Sequence, residues 1–111
     1  MDNIEIACFI HEILANNPRV QQAVLFGSRA MGANTERSDI DIALFGDFTW
    51  RDVEKIRLAC DALPLPYKFD VVDYNAINNL ALKRHIDSTG VLLYKNKNYH
   101  FTEASVCDRM V

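Results

Sequence analysis

Leu25-Phe26-Gly27-Ser28-Arg29-Ala30, followed after a short spacer by Ser38-Asp39-Ile40-Asp41-Ile42-Ala43-Leu44, is the stretch that decides how this chain folds. Residues 20–26 read as an apolar strand running into Gly27, and residues 40–45 as a second strand with Ile40, Ile42 and Leu44 on one face. The intervening residues, 27–38, are turn-rich. A glycine at a strand end permits close backbone approach, and the amides after it can point at an anion where a helix begins, which is a phosphate-binding geometry. The glycine spacing of residues 27–32 is that of a P-loop, but Ala33-Asn34 stands where a P-loop needs Lys and Ser or Thr.

In Asp39-Ile40-Asp41 the two carboxylates are two residues apart, so in a strand they share a face, roughly 6.7 Å apart along the chain. Aspartate is disfavoured in strands and like charges repel, so this placement has a cost that a bound cation would offset. Oxygen-only ligands suit Mg²⁺ or Mn²⁺. A third carboxylate lies in Phe69-Asp70-Val71-Val72-Asp73, where alternation puts Asp70 and Val72 on one face and Phe69, Val71 and Asp73 on the other. If this strand lies beside residues 40–45, three aspartates meet near the phosphate-binding turn, the layout of two-metal phosphoryl or nucleotidyl transfer. Asp39 and Asp41 taken alone also fit the solvated face of an amphipathic strand. Asp73, facing away from Asp70, is expected to cap the following turn.

Outward from this centre, Ile6, Phe9, Ile10, Ile13 and Leu14 form the stripe of an amphipathic opening helix that stops at Asn16-Asn17-Pro18. Thr49-x-x-Asp52 opens a second helix carrying Val53, Ile56, Ala59, Cys60 and Leu63, ended by Pro64 and Pro66. A third strand covers residues 69–74. Asn75 is the expected cap of a last helix with Ile77, Leu80 and Ala81, Gly90 its stop, and residues 91–94 form a fourth strand. The order is α-β-β-α-β-α-β. After a turn, Tyr99 to Phe101 would pair back as a short strand.

With 111 residues, half of them apolar, the chain suits one α/β (α+β) domain, helices on a mixed sheet, with 20–95 as its motif core and 96–111 as a tail. A net charge of −3 lacks the basic excess that binds a nucleic-acid backbone, so direct nucleic-acid binding is disfavoured. No apolar run is long enough for a bilayer, so a cytoplasmic protein without membrane contact is expected. Cys8, Cys60 and Cys107 form neither a disulfide framework nor a zinc site, and the first two are expected to be buried. His85 follows the last helix's apolar stripe as a half-buried histidine, while His11 and His100 look superficial. Phe48 and Trp50 are expected to pack in the core or a loop rather than stack on a base.

Gly-Ser, a short spacer, Asp-x-Asp and a later lone Asp resemble the nucleotidyltransferase superfamily of DNA polymerase β, and residues 25–30 with 38–44 are similar to its minimal members, the MNT or MntA proteins. The likeness covers about residues 20–95. It implies that Asp39 and Asp41 ligate two Mg²⁺ ions. Asp70 would complete the metal site and take the proton from the attacking hydroxyl. Gly27 and Ser28 would bind the triphosphate tail of ATP, and Arg29 would contact phosphate.

Larger relatives append acceptor-binding domains; here the acceptor would be held in trans. The resemblance implies a small helical HEPN-domain protein, encoded by an adjacent gene, whose tyrosine is adenylylated as the antitoxin silences its toxin. The alternative is a non-catalytic nucleotide-binding antitoxin that acts by binding alone. Regulatory adenylylation of a metabolic enzyme would use the same site, and a homo-oligomer is compatible with all three.

Overall fold

The elements follow the expected order: α1 (Asn3–Ala15), β1 (Val20–Phe26), β2 (Ile40–Gly46), α2 (Trp50–Asp61), β3 (Phe69–Asp73), a 3₁₀ turn (Tyr74–Ala76), α3 (Leu80–Thr89) and β4 (Val91–Lys95). They are seen in a computed structural model that describes residues 3–27 and 39–96. The expected strand at Tyr99 to Phe101, together with Ser28, Arg29, His100 and Cys107, lies outside the described residues.

The four strands make one mixed sheet in the order β3-β2-β1-β4. β1 pairs antiparallel with β2 and β4, and β2 pairs parallel with β3. A parallel pair needs a crossover, which α2 supplies. On one sheet face Ile6, Ile10 and Leu14 of α1 and Ile56 and Cys60 of α2 pack against Leu25, Ile40, Ile42, Leu44, Phe69 and Val71. On the other, Ile86 and Leu82 of α3 pack against Val24, Ala43, Phe45 and Val72. Each large aliphatic side chain removed from water this way contributes roughly 1.5–3 kcal/mol. β2 is therefore covered on both faces. That removes the solvated-strand reading of its odd-numbered face, on which Asp41 stands at the end of a buried row.

Several local expectations hold. α1 runs out where Asn17 donates its side-chain amide to the Ile13 carbonyl at 2.7 Å. Thr49 caps α2, and the Asp52 carboxylate accepts from the Thr49 backbone N–H at 2.9 Å, the return half of a capping box. Asp73 caps the 3₁₀ turn, its carboxylate accepting from the Asn75 N–H at 3.0 Å.

Others need correction. The cap of α3 is Asn79 and not Asn75: the Asn79 side chain accepts from the Ala81 and Leu82 amides at 2.9 and 3.3 Å. Asn75 is taken up by the 3₁₀ turn, and its side-chain amide donates to the Gly46 carbonyl at 3.4 Å. Ile77 between them is extended, which delays the helix to Leu80. Gly90 does end α3 as expected, with an extended backbone at φ −65 and ψ 145. Its glycine is required by close approach, since a Cβ there would collide with Val24 Cγ1 and the Ile86 carbonyl.

Cys8 is exposed while Cys60 is buried. Position 8 falls two residues from both Ile6 and Ile10, about 200° around the helix, and so outside the buried stripe. Burial pushes the Cys60 thiol up to about 11, with Asp61 adding to it, so it stays a protonated core residue. Trp50 is also not in the core; it is 72% exposed, with the Arg51 guanidinium 5.5 Å from its ring centre. Phe48 does pack against the core.

Candidate active site

At one pole of the sheet, β1 ends and β2 and β3 begin. Phe26, the last residue of β1, pairs with Asp41, and Asp41 pairs directly with Asp70 across the parallel β2–β3 seam. The adjacency that the aspartates require is therefore present, with the register that puts both side chains on one face. Asp70 shares that face with Val72, whereas Phe69 and Val71 point into the opposite core cluster. Asp39 precedes β2 by one residue. Gly27, Asp41 and Asp70 thus lie across three neighbouring strands spaced about 4.8 Å apart, a span of roughly 10 Å.

Burial grades across this group. Asp41 is half-buried, and Asp39 and Asp70 are exposed. Burial first, and then the charges of Asp70 and Asp39, hold the Asp41 carboxyl above the ordinary aspartate range. A carboxylate that is both partly desolvated and faced by two others is a site of unfavourable negative potential, which a cation would relieve. Among the described residues no three His, Cys, Asp or Glu side chains converge closely enough to enclose a metal by themselves. This donor set fits an ion that takes its remaining ligands from water and phosphate, as Mg²⁺ does, better than one held in an all-protein cage.

Gly27 has φ +79, a backbone conformation that disfavours any side chain. A Cβ at this position would also run into the Asp41 carboxylate. The glycine read as room for a phosphate is thus, in the first instance, room for Asp41: the turn and the carboxylate are fitted to each other.

Sequence reading did not single out Arg57 of α2, which lies within electrostatic reach of Asp70. Its guanidinium is held charged chiefly by a hydrogen bond to Glu54, with Asp61 at 3.1 Å and Asp70 adding to it. No strand or turn pattern marks such a residue, since it is set by how α2 crosses from β2 to β3. His85 is half-buried, and exposed His11 meets Tyr94 edge-on with ring centres 5.6 Å apart. An apolar groove of about 470 Å³ between α1 and β4, lined by Ile4, Cys8, His11, Val91 and Leu92, contains none of the carboxylates.

The Polymerase beta, Nucleotidyltransferase family matches residues 9–99, a span that takes in Gly27, Asp39, Asp41 and Asp70 as well as Ser28 and Arg29. The chain belongs to this family. Its nucleotidyltransferase domain is similar to a toxin–antitoxin crystallised with AMP-PNP, at 28% identity and TM-score 0.62, covering 82% of this chain and 74% of that one. It is similar at 26% identity and TM-score 0.56 to a mutant MntA–HpeT toxin–antitoxin, covering 87% and 75%. It shares its fold with a structure of the tri-AMPylated Shewanella oneidensis HEPN toxin in complex with MNT antitoxin, at 24% identity and TM-score 0.51, covering 81% and 72%. No curated protein sequence matches the chain significantly. Among the described residues no helix is long and apolar enough to cross a membrane.

Proposed function

We propose that this nucleotidyltransferase transfers AMP from ATP to a tyrosine hydroxyl of a HEPN-domain partner and so serves as the antitoxin of a toxin–antitoxin pair. The observation that carries the proposal is the pairing of Asp41 with Asp70 on one sheet face beside the left-handed Gly27. Support for the donor comes from the relative crystallised with AMP-PNP, and support for the acceptor from the AMPylated HEPN toxin bound to its MNT antitoxin.

In this reading Gly27 and Ser28 hold the triphosphate, Arg29 contacts phosphate, and Asp39, Asp41 and Asp70 are the protein's ligands for Mg²⁺. When bound, Mg²⁺ would neutralise phosphate charge and orient the reacting oxygens. The attacking hydroxyl oxygen forms a bond to the α-phosphorus while the bond to the bridging oxygen breaks and pyrophosphate leaves with that electron pair. Asp70 takes the hydroxyl proton.

The test is direct. The protein is incubated with labelled ATP, Mg²⁺ and the HEPN protein of the neighbouring gene, and both proteins are weighed. AMP on a tyrosine of the partner is the expected result; unchanged masses with a stable complex would turn the reading toward an antitoxin that acts by binding alone.

A further inference from the structure

We propose that the acceptor hydroxyl reaches this site on an extended segment of the partner that adds as a strand to the outer edge of β3. The inference rests on the transfer reading above and names how its acceptor is presented. In displacement at phosphorus the attacking and leaving oxygens lie roughly in line. The triphosphate is assigned to Gly27, at the end of β1, and Asp41 lies between Gly27 and Asp70. The hydroxyl therefore enters from beyond Asp70, opposite the departing pyrophosphate.

Beyond Asp70 is the border of the sheet. β3 is the terminal strand in the order β3-β2-β1-β4, and among the described residues no strand pairs with its far side. Approach across the sheet from the far ends of β2 and β3 is blocked, because α3 packs over Ala43, Phe45 and Val72. The opposite face is closed by α1 and α2.

A strand added to β3 would solve the positioning. Directly opposed residues in neighbouring strands share a face, so a tyrosine or serine set against Asp70 would point to the same side, with its Cβ about 5 Å from that of Asp70. Lys68, Asp70 and Asp73 place charges along this edge. Such charges discourage casual edge-to-edge association while leaving the backbone available to a fitted partner. The other border, β4 with its apolar groove, lies on the pyrophosphate side and is not the entry.

The test uses short Thr- and Val-rich peptides with one central tyrosine, either unmodified or N-methylated on one of the two alternate sets of residues. With ATP and Mg²⁺, methylation of the set that faces β3 should lower kcat/KM for adenylylation at least about tenfold, and methylation of the other set should not, because only one edge of the peptide pairs. With AMP-PNP and Mg²⁺, the unmodified peptide should slow amide exchange within residues 69–73. Equal rates for both methylated sets, a peptide left unmodified by a nucleotide-loaded protein, or slowed exchange at β4 instead would overturn the inference alone. Failure of AMP-PNP with Mg²⁺ to bind at all would overturn the transfer reading and this inference with it.

Discussion

Replacing Gly27 by alanine should test the fit between the turn and Asp41 on both stability and binding. At φ +79 an alanine is in the left-handed region, which costs roughly 1–2 kcal/mol. Its Cβ would also meet the Asp41 carboxylate, the end of a half-buried side chain, and turning that side chain aside costs about 0.5–1.5 kcal/mol. The combined loss, about 1.5–3.5 kcal/mol, is a large share of the 5–15 kcal/mol typical of a domain. Thermal melting should therefore fall by about 6 °C or more. Shortening Asp41 removes the second contribution and not the first. Gly27→Ala placed on an Asp41→Ala background should accordingly cost only about 1–2 kcal/mol, leaving a coupling between the two positions of about 0.5–1.5 kcal/mol. A Gly27→Ala protein that melted within a degree of the parent, or a double-mutant cycle with no coupling, would refute the fit between turn and carboxylate.

Asp41→Asn should stabilise the metal-free protein at neutral pH. Because the folded-state pKa of Asp41 is raised, its protonated form contributes stability that is complete below the unfolded value near 3.8 and is lost as pH rises through the folded value. The difference in melting temperature between parent and variant should grow over that window, and a pH-independent difference would contradict it. Asp39→Asn with Asp41→Asn should abolish transfer and leave the fold intact, read as activity and melting together. Asp70→Asn should bind ATP with Mg²⁺ nearly normally while turnover drops roughly 10²- to 10⁴-fold; the same pattern from Asp73→Asn instead would contradict the observed register. Asn79→Ala should cost about 1 kcal/mol through the lost cap of α3, a penalty that a correspondingly large effect of Asn75→Ala alone would contradict.

Much of this site was legible because strand chemistry is periodic. Alternation alone separates Asp70 from Asp73, and residue type assigns Asp73 to capping, as its bond to the Asn75 amide shows; Asp39, one residue ahead of β2, lies outside the alternation. The pairing of β3 with β2 was not legible, since which strands become neighbours depends on how α2 crosses the sheet. The same limit hid Arg57, whose nearness to Asp70 arises from that crossing. Local competition explains the misplaced cap: Asn75 and Asn79 are equally good caps by residue type, and the Asp73 bond that captures residue 75 into a 3₁₀ turn decides between them. Residue type favours burial of Cys8 and Trp50, whereas their positions on α1 and at the start of α2 turn them outward. The strand that runs into Gly27 puts this residue at the pole of the sheet, but its tight approach to Asp41 emerges only from the register of β1 with β2.

The most direct measurement is the mass of the HEPN protein after incubation with this chain, ATP and Mg²⁺, run beside the same reaction with Asp70→Asn. Addition of AMP to a tyrosine by the parent protein, and its loss with Asp70→Asn at saturating ATP, is the predicted result. Equal modification by both proteins, or none by a parent protein shown to bind ATP with Mg²⁺, would contradict the assignment of chemistry to the Asp41–Asp70 pair.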